Sequence, residues 1–573
     1  MEKRTIIAIM LTFIVILLWS VIQSKFFAPE PAKKEVREEA VSPLDKKAEV
    51  KEVKPTPPEK PLATRRVLPK KEVRVETQKY WATLTSEGAA LEHFRLKEFN
   101  DRVKASALTV KLTQFIQGLF GKDVAPPQEP EPLDLVNTGK EEGYPLALAL
   151  TPAISNGGWE VEQDQLRLLS SDEKGEIAFF KTFDNGLKVI KRYRFIADKY
   201  AFHLELEFQN QSSREIVIQP GVEWTGEIEL KKLSEEENKD YGLKYAYLKD
   251  GKVERKDLGG SPTSGCTPGC GTKKTRIEPF ENSTKGDIRW FAFEGEYFVA
   301  LVTPPPPEKN VTLSVRGDEK NLLKAGIFTA PLSLQAGEST KIPYQIYIGP
   351  KEVQRLGELG VGAEKLIDFG FFTVVAKPLL WFLKFTNKVT GNFGIDIIIL
   401  SILIKIIFLP LTQISFKSMK EMQKVQPEMA RLKEIYKNDK ARVQQEIMLL
   451  YKRRKINPMS GCLPMLIQIP VFIALYNALQ NAIEMRHAPL FLWIKDLSAK
   501  DPIYITPLIM GATMVLQQKM TPTAADPAQA KLFMLMPIMF TFLFLNFPAG
   551  LVLYWLVNNV LSIAHQYYLN KKM

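Results

Sequence analysis

The chain reads IDIIILSILIKIIFLPLTQISFK from Ile395 to Lys417. Its length and apolar character suit a membrane span, since about 20 such residues cross a bilayer core. Lys405 sits near the middle, where a lysine costs roughly 2.5–3.5 kcal/mol on insertion scales. One resolution is snorkelling, in which the four-carbon stem carries the ammonium to the cytoplasmic headgroups. If the span ends near Leu411, about 9 Å of helix separates the two. An internal salt bridge is a second resolution, but no Asp or Glu occurs in 397–416, 459–483, 503–520 or 531–570. A cation without a carboxylate at membrane depth should face a wet cavity, with water, lipid phosphate, neutral polar side chains or a bound ligand as partner.

Working outward, apolar segments at 392–416, 459–483, 503–520, 531–547 and 549–569 each approach the length of a span. The split between the last two, at Asn546–Gly550, requires a very tight turn. Residues 1–24 have a basic start and then a long apolar run. That run, Ile6 to Ile22, exceeds a signal-peptide core and no small-x-small cleavage site follows, so an uncleaved anchor is expected. The 77 basic and 65 acidic residues leave a formal charge of +12. Lys417 to Lys455 holds twelve Lys/Arg and five acids, a net +7. An excess concentrated between apolar runs argues for the positive-inside rule, and against DNA as a partner. Orientation follows: N-terminus and C-terminus cytoplasmic, residues 25–350 outside, the basic loop inside, six spans in all.

The remaining stretches differ in texture. Residues 25–72 are rich in Pro, Glu and Lys and bury too little apolar surface to fold, so they read as a flexible tether. From 73 to 350 short alternating runs such as LKVIKRYRFI and YAFHLELEFQN are broken by Gly, Asn and Pro, as in an antiparallel β-sandwich. An interruption at 102–145 holds a short helical pattern around LTQFIQGLF and a Pro-rich loop. Residues 351–391 mix apolar clusters with lysines and Trp381, the pattern of an interfacial amphipathic helix. Within 417–458, Met419, Met422, Val425, Met429 and Leu432 recur at helical spacing, as do Val443, Ile447, Leu450 and Tyr451. Asn438–Asp439 between them can cap a second helix, so an antiparallel helical hairpin is expected. Its methionines either pack the two helices or offer a soft docking surface, and its basic exterior can sit near anionic lipid or engage ribosomal RNA. Of the three cysteines, Cys266 and Cys270 are candidates for a small loop disulfide. No second ligand pair accompanies them, which argues against zinc. Cys462 is expected merely to pack.

Several polar residues could line a cavity beside Lys405. Ser401 lies one helical turn earlier, on the same face. Tyr554, Asn558 and Ser562 repeat every four residues on the last span, with His565 and Gln566 continuing the stripe. Gln468 and Asn477 belong to the third span and Gln517 to the fourth. Taken singly, each could instead form an ordinary interhelical hydrogen bond. Trp381 and Trp493 read as markers of the outer interface.

The blocks GNFGIDIIILSILIKIIFLPLT, NPMSGCLPMLIQIPVFIALYNAL, APLFLWIKDLSAKDPIYITPLIMGATM and FPAGLVLYWLVNNVLSIAHQ resemble the YidC membrane protein insertase family. The resemblance spans the chain and is densest from about 360 onward. It implies a multidomain membrane protein: an N-terminal anchor, a five-helix core at 392–570, a periplasmic antiparallel β-supersandwich at 73–350 and a cytoplasmic hairpin at 417–458. It further implies a hydrated cationic groove, open to cytoplasm and lipid and closed toward the periplasm, which captures hydrophobic substrates and releases them laterally into the inner membrane. The groove charge, typically arginine in the family, falls at Lys405, and substrate-contacting positions fall at Ser401, Tyr554 and Trp555, with Gln468 and Asn558 as further candidates. Lysine, unlike arginine, can lose its proton when desolvated, so such a groove would have to be wet. Implied partners are nascent membrane proteins, the lipid bilayer and the Sec translocon, with the ribosome or signal-recognition-particle receptor at the hairpin. No cofactor is implied, and no G-x-x-x-x-G-K-[ST] loop occurs.

Two rival readings are weaker. A secondary transporter of a small solute would be expected to show repeated halves and intramembrane carboxylates, and neither is evident. A membrane-tethered carbohydrate-modifying enzyme of mutarotase type needs histidines and a carboxylate as acid and base, but the β-region offers only His93 and His203.

Overall fold

The computed structural model describes residues 69–104, 110–112, 114, 129–152, 158–227, 244–257, 279–306, 310–454, 463–520 and 527–572. The expected anchor, most of the tether, most of the helical pattern at 112–120, and Cys266, Cys270 and Cys462 lie outside them.

Residues 72–350 form three sheets. A nine-stranded sheet is central and includes Leu187–Ile196, Ala201–Asn210 and Ser339–Pro350. Alternation along Leu187–Ile196 buries Leu187, Val189, Tyr193 and Phe195, which packs one face as the period of two requires. A five-stranded sheet containing Tyr80–Thr85 and Ala90–Asn100 meets it through aromatic rings. The Phe94 and Phe202 centroids lie 6.3 Å apart, and those of Tyr80 and Tyr200 lie 6.4 Å apart. A six-stranded sheet containing Ile216–Glu227 approaches the nine-stranded one where Gly226 faces Phe293, and a Cβ on Gly226 would overlap that ring. The expected sandwich is therefore a layered one. It departs from the antiparallel expectation at one pairing, where Glu72–Glu76 runs parallel to Gln165–Arg167.

The exit from this domain is pinned by charge. Glu294 is buried and accepts from Arg255 Nε at 2.9 Å and from Lys351 Nζ at 3.2 Å. Arg255 also donates to the Leu366 carbonyl, so the connector after Pro350 is held against the sheet.

Eight helices follow, labelled here α1 Thr373–Thr390, α2 Phe393–Lys424, α3 Gln426–Ile435, α4 Lys440–Arg453, α5 Leu463–Asn481, α6 Ile505–Met520, α7 Pro527–Phe544 and α8 Ala549–Lys572. The α1–α2 corner shows how local chemistry sets the packing. Gly391 takes the left-handed conformation that ends α1. The Asn392 side chain then caps α2, accepting from the Gly394 and Ile395 amides at 2.9 and 3.2 Å. Buried Asp396 accepts from Asn387 Nδ2 at 2.8 Å and Thr390 Oγ1 at 2.7 Å, tying the two helices together.

Helices α2, α5, α6, α7 and α8 stand at the five expected apolar segments, with altered bounds. The first continues past residue 416 to Lys424, because nothing breaks it before Val425 and Pro427. The fourth begins at Pro527, ahead of 531. Among the described residues, α2 alone is long and apolar enough to cross a membrane by itself, and Met534–Phe544 is a shorter apolar stretch. Helices α3 and α4 lie within the expected hairpin at 417–458, but Met419 and Met422 of its first arm belong to the end of α2. Asp439 caps α4 through the Arg442 amide at 3.0 Å, the Tyr451 hydroxyl meets Met429 Sδ at 3.3 Å, and Arg454 pairs with Glu428. The methionine seam thus packs the arms at Met429, while Met448 is half exposed.

Candidate functional site

Lys405 stands on α2 in a cluster of four packed helices. Helix α8 packs against α2, α5 and α6, and α5 also packs against α2. On α2, Ile397, Leu400, Ser401 and Ile404 are buried, while Ile402, Leu403, Ile406 and Ile407 are exposed. Lys405 adjoins the buried stripe and is half-buried. Its ammonium does not run along α2 toward a helix end. It crosses to α8 and donates to Ser562 Oγ at 2.6 Å. Among the described residues no carboxylate pairs with it.

The stripe on α8 carries two separate side-chain-to-backbone hydrogen bonds, each reaching one turn back. Ser562 Oγ donates to the Asn558 carbonyl at 2.7 Å, and Asn558 Nδ2 donates to the Tyr554 carbonyl at 2.9 Å. The Tyr554 hydroxyl accepts from Gln468 Nε2 of α5 at 3.4 Å. Sequence spacing of four places these groups in one row, and packing against α2 and α5 buries Tyr554 and Asn558. The arrangement is one lysine held by one hydroxyl, with neutral donors and acceptors beneath it.

Not every expected residue joins this row. Ser401 is fully buried and donates to the Ile397 carbonyl at 2.7 Å, a local bond within α2. Trp555 faces a separate aromatic cluster, with its ring 5.2 Å from Phe472 and 5.3 Å from Phe544. The step from 554 to 555 turns a helical side chain by about 100°, so the two cannot share a face. Asn477 donates to the Phe369 carbonyl at 2.9 Å, which anchors the segment before α1. Trp493 is half-buried and donates to Asp501 Oδ2 at 3.3 Å within the α5–α6 loop. Trp381 is 65% exposed and stacks on Phe385 at 5.6 Å.

The far end of the helix cluster is closed by the loop between α5 and α6. Ala488, Leu490, Ile494 and Leu497 of that loop are buried. Its carbonyls at Ala499 and Leu497 accept from the Ala549 and Gly550 amides at 2.7 and 2.9 Å, satisfying the first turn of α8. Asp501, also buried, accepts from the Ile503 and Thr506 amides at 3.0 and 2.7 Å and starts α6. An acid ahead of an apolar run is a legible cap signal, yet a search of 397–416 and 503–520 passes over both, Asp396 standing near the start of the 392–416 segment and Asp501 just before 503–520. Arg486 gives no sequence signal at all, because its partner, the Asn100 carbonyl at 2.7 Å, belongs to the β-domain. His93 and His203 stand on strands of different sheets, and His93 is engaged by Asp134 at 2.7 Å. No acid–base pair of the carbohydrate-enzyme type is formed by those two residues.

Comparison with known proteins follows the same division of the chain. The model of the 60Kd inner membrane protein family matches residues 385–573, and that of the YidC periplasmic domain matches residues 122–382. The membrane protein insertase YidC of Syntrophus aciditrophicus (strain SB) is 38% identical over 590 residues, covering 100% of both chains. That of Geotalea daltonii is 37% identical over 578 residues, again with 100% of both covered. A solved structure of an active YidC insertase with its first transmembrane domain resolved is 18% identical, covers 87% of this chain and 92% of its own, and gives a TM-score of 0.35.

Proposed function

Because this chain belongs to the YidC family of membrane protein insertases of the inner membrane, we propose that it inserts its substrates through a hydrated groove whose charge is Lys405. The observation that carries the reading is the Lys405–Ser562 bond: a cation within the described helix long and apolar enough to cross a membrane is met by a neutral hydroxyl. A cation so placed attracts acidic residues in a polar tail that must cross the low-dielectric layer. Exposed Ile402, Ile406 and Ile407 on the neighbouring face of α2 give the emerging apolar segment a route into lipid. The membrane potential adds about 2.3 kcal/mol per charge for each 100 mV, so no nucleotide is needed.

In this reading six spans, five of them α2, α5, α6, α7 and α8, cross the membrane, with both termini cytoplasmic and the β-domain periplasmic. The α5–α6 loop closes the groove outward, α1 lies at the interface through Trp381 and Phe385, and the basic α3–α4 hairpin meets the cytoplasmic surface. That hairpin is the contact for the ribosome or signal-recognition-particle receptor, and the Sec translocon is a partner in the membrane. Cys266 and Cys270 remain the candidate disulfide.

The experiment uses the full chain in proteoliposomes with a short membrane protein carrying an acidic translocated tail. Lys405→Ala is expected to lower its insertion about tenfold, the weight of one charge-assisted contact, and Lys405→Arg to keep it. Unchanged insertion by Lys405→Ala would remove the role given to this lysine.

A further inference from the structure

We propose that Ser562 is a built-in latch for Lys405: at rest its hydroxyl occupies the ammonium in place of a substrate carboxylate, and substrate entry requires that this bond be exchanged. The proposal rests on the reading of Lys405 as the groove charge. Three observations carry it. First, the hydroxyl is oriented. Its proton is committed to the Asn558 carbonyl at 2.7 Å, so only its lone pairs face Lys405 Nζ at 2.6 Å. Second, the acceptor of that proton is fixed, since the Asn558 carbonyl is α8 backbone one turn before Ser562 and the helix itself sets its direction. Third, the bond joins α2 to α8, the helices that bear the cation and the polar row. Exchange of Ser562 for a carboxylate therefore releases a link across the α2–α8 seam as it captures the substrate's charge.

The choice of a hydroxyl sets the strength of the latch. An ammonium held by a neutral acceptor is given up to a carboxylate, which adds the attraction of a full opposite charge to the hydrogen bond. A resident carboxylate would hold the lysine against the substrate, and an apolar residue would leave the cation without an acceptor at membrane depth.

The test compares two substrates that differ only in an acidic or a neutral translocated tail, inserted by the full-length protein in proteoliposomes. The readout is the ratio of the two rates, with protease resistance of the purified protein as the check on folding. Ser562→Asp is expected to lower the ratio about tenfold, because the lysine is already paired. Ser562→Ala should raise it several-fold, and Ser562→Thr, which keeps the hydroxyl, should retain the wild-type ratio. A Ser562→Asp protein that is folded and keeps the wild-type ratio would overturn the latch, as would loss of the ratio in Ser562→Thr. If Lys405→Ala leaves the ratio unchanged, the underlying reading fails as well, so the two failures are distinguishable.

Discussion

Lys191 and Lys405 are both withdrawn from bulk water, and their surroundings differ in kind. Lys191, fully buried in the nine-stranded sheet, donates to the Ala89 carbonyl at 2.7 Å and to that of Leu146, with the Gly88 carbonyl at 3.5 Å. Ala89 and Leu146 adopt left-handed φ angles of 48° and 62°. Burial pushes the Lys191 pKa well below its ordinary value. Such a group is fixed: Lys191→Met is expected to destabilise the protein by about 2–3 kcal/mol by stranding a buried carbonyl, measurable by denaturant titration of the purified chain. Lys405 is only half-buried and has a single hydroxyl as its described acceptor. Its place in the apolar run and the lack of a carboxylate in 397–416, 459–483, 503–520 and 531–570 are legible from residue order alone. Its actual acceptor is not, since a four-residue stripe offers several polar groups and only the rotation of α8 against α2 selects one.

At the scale of elements, helix placement was legible and helix contact was not. Long apolar runs dictate helices because their backbone groups must be satisfied within the segment. Where those helices touch depends on small residues. Gly511 of α6 lies so close to Thr541 of α7 that a Cβ would overlap the threonine hydroxyl. Gly511→Val should therefore cost about 1–3 kcal/mol through overpacking, visible as a lower melting temperature in detergent. Asn392 plays a double part, capping α2 and donating through Nδ2 to the Leu490 carbonyl at 2.8 Å. Asn392→Ala is expected to cost about 1–2 kcal/mol and to loosen the α5–α6 loop, which limited proteolysis would report as earlier cleavage near Leu490. The Asp439 cap of α4 was legible, because capping is a local property, whereas the break at Val425 that gives Met419 and Met422 to α2 was not.

At the scale of the whole molecule, the β-domain meets the helical core through the α5–α6 loop. Arg486 reaches Asn100 and lies over the Phe298 ring at 5.3 Å, while Ile483 joins the β-domain's buried cluster. Beside it His487, at a left-handed φ of 59°, is pushed down from 6.5 to about 4 by burial and by the Arg486 charge. Folded protein holds this imidazole neutral while the unfolded chain protonates near 6.5. Its contribution is thus present above pH 6.5 and is lost as pH falls toward about 4. His487→Asn tolerates the backbone angle and does not titrate, so its melting temperature should vary less over that window than the wild type's. Protonation of His93, raised by its bond to Asp134, acts in the opposite direction but is common to both proteins and cancels in the comparison.

Sequence alone determined the succession of apolar helices, the β-rich domain ahead of them and the isolated cation, because each follows from periodicity, composition or charge along the chain. Tertiary structure alone decided that Lys405 faces Ser562, that Trp555 belongs to a different cluster from Tyr554, and that Arg486 joins two domains. Those outcomes depend on which faces of separate elements meet, and a hydrogen bond between residues 157 positions apart leaves no trace in local pattern. The physics of a single span shows that a charge there needs a partner, and only the packing of α2 on α8 names it.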